Sequence, residues 1–161
     1  MFAQTQTQQM MVEMAERLLA KENEFELRRH RLAASPPERL ALWPLLAEQG
    51  LIGALADEAA GGFGGTARDL ASVMAVAGRR LVVEPLLHSA LAFSALSRTG
   101  QDGLTASIIG GETIAVFAHQ EGSAPLAPPR CIVTRDGSAL SASGTKLLVR
   151  HGDLADWLIV S

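Results

Sequence analysis

From Thr7 onward, Met11, Met14, Leu18, Phe25 and Leu32 recur at mostly helical spacing, with Glu and Arg filling the other face. This periodicity predicts one long amphipathic helix that ends near Ala34. Ser35-Pro36-Pro37-Glu38 then reads as a helix start, with a Ser N-cap, prolines in the first turn and Glu at the third position to satisfy free N–H groups. Leu40, Trp43 and Leu46 form its apolar stripe, and Gly50 suits the left-handed position past its end. After a loop over 57–65, Thr66 and Asp69 cap a third helix with Leu70, Val73, Met74 and Ala77 on one face. Leu87, Leu91 and Ala95 begin a fourth helix that Gly100 closes, and a fifth covers 102–109 and stops at Gly110-Gly111.

The period changes at Glu112. Segments 113–120, 131–135, 140–143, 146–150 and 157–160 are short, rich in Val and Ile, and separated by Asp136-Gly137, Gly144 and Gly152. They predict strands. The chain therefore divides into a helical part, 1–111, and a β part, 112–161. Trp157 to Ser161 reads as a strand with no turn, partner or tail after it, so a sheet of four or five strands would be left with an open edge there.

Composition sharpens this division. The 161 residues are 48% hydrophobic and 19% charged, with 26 Ala, 23 Leu and only 4% aromatics, which favours close-packed helices over an aromatic-rich β-sandwich. The net charge of −3 is spread evenly along the chain, so no basic surface for nucleic acid is expected. The lone Cys131 cannot form an internal disulfide, the first residues are polar, and no long apolar run is present. These features point to a cytoplasmic protein that does not span a membrane.

Most of the candidate chemistry has a plain structural reading. Gly62-Phe63-Gly64-Gly65-Thr66-Ala67 matches G-x-G-x-x-A, and Glu84 stands twenty residues past Gly64, as a dinucleotide fingerprint would have it. That reading requires a strand over 51–56, yet the residues before the first glycine are poor strand formers. The loop is therefore read as a tight link between helices. His30, His88, His119 and His151 lack metal-ligand spacing, so they are read as solvated or structural, and no metal is expected. Cys131 reads as a small buried hydrophobe, Asp153 and Asp156 as solvated turn residues, and Arg79-Arg80 as a solvated helix end.

The order of segments carries more than any single motif. Trp43 to Gly53, the acidic glycine-rich loop Asp57-Glu58-Ala59-Ala60-Gly61-Gly62-Phe63-Gly64-Gly65, and the helix from Asp69-Leu70-Ala71-Ser72-Val73 to Gly78-Arg79-Arg80 are followed by Gly110-Gly111-Glu112-Thr113-Ile114-Ala115-Val116-Phe117-Ala118. Gly144-Thr145-Lys146 and Ala155-Asp156-Trp157-Leu158-Ile159-Val160 complete the series. In order and spacing these segments resemble the acyl-CoA dehydrogenase family.

The resemblance implies an all-α, up-and-down N-terminal domain followed by the beginning of an antiparallel β-barrel-like domain. It also implies FAD, an acyl-CoA substrate, an electron-transfer acceptor, and a homo- or hetero-oligomer. In the reaction so implied, a carboxylate removes the α-proton of the thioester while the β-hydrogen leaves as hydride to the flavin. The family's base would lie beyond residue 161, so no catalytic residue is assigned, and neither Glu58 nor Glu121 is promoted to that role.

Two flavin-contacting patterns carry over by position. The family's aromatic-x-x-Thr-Glu corresponds to Phe117, His119, Gln120 and Glu121, with a Gly-Ser-Asp turn that becomes Gly122-Ser123-Ala124. Its Lys-x-Trp-Ile-Thr corresponds to Lys146, Leu147, Leu148, Val149 and Arg150. The implied cofactor-binding residues are thus Phe117, His119, Gln120, Ser123, Leu148 and Arg150. Gln120, Leu148 and Arg150 replace a Thr, a Trp and a second Thr. These departures point to a divergent branch, such as the heteromeric steroid dehydrogenases in which one subunit type has lost part of the site. The alternative is a non-catalytic partner subunit or a structural helical module.

Overall fold

The computed structural model describes residues 5–60, 62–122 and 127–161. Among the described residues seven α-helices precede four strands: α1 (Gln6–Glu22), α2 (Phe25–Ala33), α3 (Pro36–Arg39), α4 (Trp43–Glu48), α5 (Ala67–Arg79), α6 (Leu86–Leu96), α7 (Asp102–Ile109), β1 (Ala115–Ala118), β2 (Ile132–Asp136), β3 (Ala139–Ser143) and β4 (Trp157–Val160). Helical content followed by strands is the expected order. The helix boundaries differ at two places, and both differences have a local cause.

The first long helix is two helices, broken at Asn23. Its side-chain amide donates to Arg80 O at 2.8 Å and so satisfies a carbonyl at the end of α5. Asn23 is 4% exposed, so the interaction is an interior one and outweighs continuation of the helix. The buried stripe of α1 is Gln8, Met11, Ala15 and Leu19. Phe25 and Leu32, expected on the apolar face, are exposed on α2, which buries no residue. Glu16 bonds Arg79 at 2.7 Å and Arg80 at 3.0 Å, tying the outer half of α1 to the end of α5.

The second difference is at Pro44. The predicted helix from Ser35 to Gly50 is split into α3 and α4 because Pro44 has no N–H to give to Leu40, whose carbonyl is taken by Trp43 N at 2.9 Å instead. Trp43 and Leu46 remain buried as expected, and α4 ends on Gly50 in the left-handed conformation (φ +68). The third and fifth predicted helices are α5 and α7. Asp69 caps α5, accepting from Thr66 N at 2.6 Å and from the Thr66 hydroxyl at 2.7 Å.

The glycine-rich loop is a packing device. Segment 51–56, where a dinucleotide fold would need a strand, is a series of turns. The loop folds back onto those turns, with Gly64 N donating to Ala56 O at 2.7 Å and Gly65 N to Ala54 O at 3.1 Å. A Cβ on Gly65 would lie 2.2 Å from Ala54 O, and one on Gly62 would lie 2.2 Å from Ala56 O. The glycines allow backbone to meet backbone. Glu84 is buried, with Arg31 Nη1 3.6 Å from its carboxylate.

In the β part, β2 and β3 form an antiparallel hairpin whose last pair is Asp136↔Ala139, turned by Gly137 at φ +57. β1 and β4 pair in parallel, from Ala115↔Trp157 to Ala118↔Val160, so part of the β region departs from the antiparallel expectation. The strand predicted over 146–150 does not form, because Leu148 adopts φ +51 and His151 φ +58, which a strand cannot accommodate. Cys131 is half-buried rather than buried. β1 lies against α6, and Ile114, Ala115 and Val116 belong to the same buried cluster as Met11, Trp43, Phe93 and Ile108. Both faces of the β2–β3 hairpin are exposed.

Candidate functional site

The site is assembled where β1 ends. The chain leaves α7 through Gly111 (φ +75), with Glu112 N donating to Ser107 O at 3.0 Å and Gly111 N to Ile108 O at 3.1 Å. This closes the helix and aims the chain into β1. Asp156 then fixes the register of β1 against β4. Its carboxylate accepts from Ile114 N at 2.9 Å while its own N–H donates to Ile114 O at 2.8 Å. Asp156 is exposed, as expected of a turn residue, and it also pairs the strands.

Beyond β1, Leu147 N donates to Gln120 O at 2.6 Å, bringing segment 147–150 alongside residues 117–120. Between them and α6 lies a cleft of about 210 Å³, lined by His88, Leu91, Phe117, His119, Gln120 and the 147–150 segment. Five of the six residues proposed from sequence for cofactor contact, Phe117, His119, Gln120, Leu148 and Arg150, are brought together here. Ser123, the sixth, lies outside the described residues. Reading along β1 and its neighbours could not supply His88 and Leu91. Their signal is a helical one, because they stand at i, i+3 on the side of α6 that faces away from its buried residues.

The wall of the cleft is held in an unusual backbone. Left-handed φ at a non-glycine residue costs roughly 1–2 kcal/mol, and both Leu148 and His151 have it. Strain of this kind persists where surrounding contacts over-determine it. Here His151 packs its ring against His88 with centroids 5.5 Å apart, while Gly152 N donates to Val149 O at 3.2 Å and Leu154 N to His151 O at 3.0 Å. Burial pushes both imidazoles below the ordinary histidine range, with Arg150 adding to the effect on each.

The polar groups of the cleft are few. His119 Nδ1 lies 2.8 Å from Ser161 Oγ, and the rings of Phe117 and His119 stack with centroids 5.9 Å apart and planes 9° from parallel. The Gln120 side-chain amide donates to Gly122 O at 2.8 Å, and its oxygen has no hydrogen-bond partner among the described residues. Arg150 makes no ion pair among the described residues, and no carboxylate lines the cleft. Glu121 points away from it. It accepts from Lys146 Nζ at 2.7 Å, Arg130 N at 2.6 Å and Cys131 N at 2.9 Å, and the Lys146 ammonium is the first of the causes that lower its pKa.

Among the described residues no helix is long and apolar enough to cross a membrane. No curated protein matches the chain. Among solved structures it is similar to a variant of the Tcur3481-Tcur3483 steroid ACAD, at 26% identity and a TM-score of 0.84 over 96% of this chain and 44% of that one. It also shares the fold of a chain of the ChsE4-ChsE5 complex from Mycobacterium tuberculosis, at 22% identity and a TM-score of 0.82 over 98% of this chain and 44% of that one. The chain thus spans less than half the length of these structures. The family described as "Acyl-CoA dehydrogenase, N-terminal domain" matches residues 5–117, from the N-cap of α1 into β1. That match covers more than half of the sequence, from α1 through α7 and including α6, which lines the cleft, and the chain belongs to the acyl-CoA dehydrogenase family.

Proposed function

We propose that this chain is the N-terminal part of an FAD-dependent acyl-CoA dehydrogenase of the heteromeric, steroid-acting kind, and that the cleft beside α6 takes the flavin ring system. The observation that carries the reading is the convergence of Phe117, His119, Gln120, Leu148 and Arg150, distant in sequence, on one cleft. Its lining suits a flavin. Leu91, Phe117, Leu147 and Leu148 offer apolar surface to a fused ring, while His119, Arg150 and the free oxygen of Gln120 offer hydrogen bonds to a heterocyclic edge. When bound, the flavin supplies the acceptor for the hydride that leaves the substrate.

The chain's own residues bind and orient. Phe117 and His119 present one continuous stacked surface, Arg150 brings a fixed positive charge, and α6 shields the cleft with Leu91. Among the described residues no carboxylate lines the cleft, and in this reading the base that takes the α-proton belongs, as the family resemblance implies, to the C-terminal domain of the full-length protein. The same reading places the boundary between the helical and β domains at 111/112, and takes the substrate to be an acyl-CoA thioester and the partner an electron-transfer acceptor in the cytoplasm.

A second reading, a partner subunit that keeps the fold without holding flavin, is favoured by two details. Gln120 turns its amide onto Gly122, and Leu148, at the position of the family's covering Trp, is 79% exposed. The two readings separate when the full-length protein is purified alone and together with a co-encoded family member. A flavin absorbance band that a steroid-CoA thioester bleaches anaerobically is expected for the first reading, with loss of the band when Arg150 is changed to Glu. Flavin held only by the co-encoded chain, and indifferent to Arg150, would establish the second.

A further inference from the structure

We infer that Lys146 and Ser161 are positioning residues that hold the His119 imidazole in one tautomer, with its Nε2–H presented to the cleft as a fixed hydrogen-bond donor. The recipient fitting such a donor is an acceptor atom on the edge of a planar heterocycle. Identifying that heterocycle as flavin rests on the function proposed above, whereas the tautomer does not.

The arrangement starts from Lys146, whose side chain is 9% exposed. Its ammonium carries three donors, and three oxygens stand ready for them: Ser161 O at 2.5 Å, Glu121 Oε1 at 2.7 Å and His119 O at 3.3 Å. Glu121 is itself fixed by two backbone N–H groups at the entry to β2. Lys146 therefore joins the exits of β1 and β4 to a rigid anchor. Its hold on the Ser161 carbonyl sets the place of the Ser161 hydroxyl, 2.8 Å from His119 Nδ1.

That hydroxyl has one proton and, among the described residues, one acceptor within reach, the imidazole nitrogen. Donation from Ser161 Oγ uses this proton, makes Nδ1 the acceptor and leaves the imidazole hydrogen on Nε2. The opposite tautomer would leave the hydroxyl proton without a protein partner. Phe117, stacked nearly parallel to the imidazole, restrains the ring plane. His119 lines the cleft, so its second nitrogen becomes a donor held ready before any ligand arrives. His119 occupies an unspecified position in the family pattern, so the resemblance does not predict this role.

The test is long-range 1H–15N NMR of the imidazoles in the full-length protein without FAD, followed by FAD titration by fluorescence quenching. The wild type is expected to show His119 protonated on Nε2. Ser161→Ala, which removes only the hydroxyl, should give mixed tautomers with an otherwise unchanged amide spectrum. Removing one neutral hydrogen bond from the support of the donor should weaken FAD binding roughly two- to ten-fold, and Lys146→Arg should keep the wild-type tautomer where Lys146→Met does not. Protonation on Nδ1 in the wild type, or a tautomer indifferent to Ser161→Ala, overturns the inference. The expected tautomers without FAD binding in any form would leave the inference standing and remove the flavin reading.

Discussion

Gly111→Ala is expected to be among the most damaging single-methyl additions to this protein. Two costs combine at that site. Gly111 has φ +75, and a side chain in the left-handed region costs roughly 1–2 kcal/mol. Its Cβ would also lie 2.6 Å from Ala47 Cβ, a contact that forces α4 and the end of α7 apart and costs a further ~1–3 kcal/mol. The sum, about 2–5 kcal/mol, is a large share of the ~5–15 kcal/mol that holds a domain folded. Gly100→Ala is the matched control. Gly100 has a similar φ of +71, with nothing within 4 Å of the added Cβ, so it should show the backbone cost alone. The assay is urea unfolding of both variants and wild type followed by circular dichroism, with m-values compared to exclude a changed unfolded state. Equal losses in the two variants would refute the close packing of α7 on α4, and with it the account of how β1 is aimed at the cleft.

Two predictions concern pH. Burial raises the pKa of Glu84, so the folded state binds this proton more tightly than the unfolded chain does. The resulting stabilisation is complete below the ordinary carboxylate range and is lost as pH rises through the raised value. The wild type minus Glu84→Gln difference in unfolding free energy should therefore fall with rising pH, and a difference that climbs would contradict the burial of that carboxyl. His88 and His151 shift the other way, their folded-state pKa values lying below the ordinary value of about 6.5. Their contribution is present above that value and is lost as pH falls through it toward the lowered values, because only the unfolded chain takes up the protons. Thermal unfolding between pH 8 and 5 should show a steeper decline in wild type than in the His88→Phe, His151→Phe double variant. Parallel declines would contradict the burial of the two imidazoles.

Much of the helical part is legible in the sequence because its signals are local. The Thr66–Asp69 cap, the stops at Gly50 and Gly110-Gly111 and the stripe of α5 all lie within a few residues of the features they specify. The break at Asn23 is not legible, since its cause is the Arg80 carbonyl, which only the folded chain brings near. The apolar run 146–150 reads as a strand for the same reason. Nothing in Lys-Leu-Leu-Val-Arg announces a left-handed Leu148, and the conformation is sustained by contacts with Gln120 and α6. In the candidate site, the order of family-like segments locates Phe117, His119, Gln120, Leu148 and Arg150. His88 and Leu91 enter from a helix whose exposed side carries no motif, and Ser161 reaches His119 across the β1–β4 pair.

Whether the cleft beside α6 receives flavin is decided by titrating FAD into the full-length protein and into two charge-reversed variants. Arg150→Glu places a carboxylate in the cleft, and Arg135→Glu makes the same change on the exposed β2–β3 hairpin. Saturable quenching of flavin fluorescence is expected in wild type and in Arg135→Glu, with at least a ten-fold weaker dissociation constant for Arg150→Glu, the equivalent of about 1.4 kcal/mol. Saturable binding that is the same in all three proteins would contradict it.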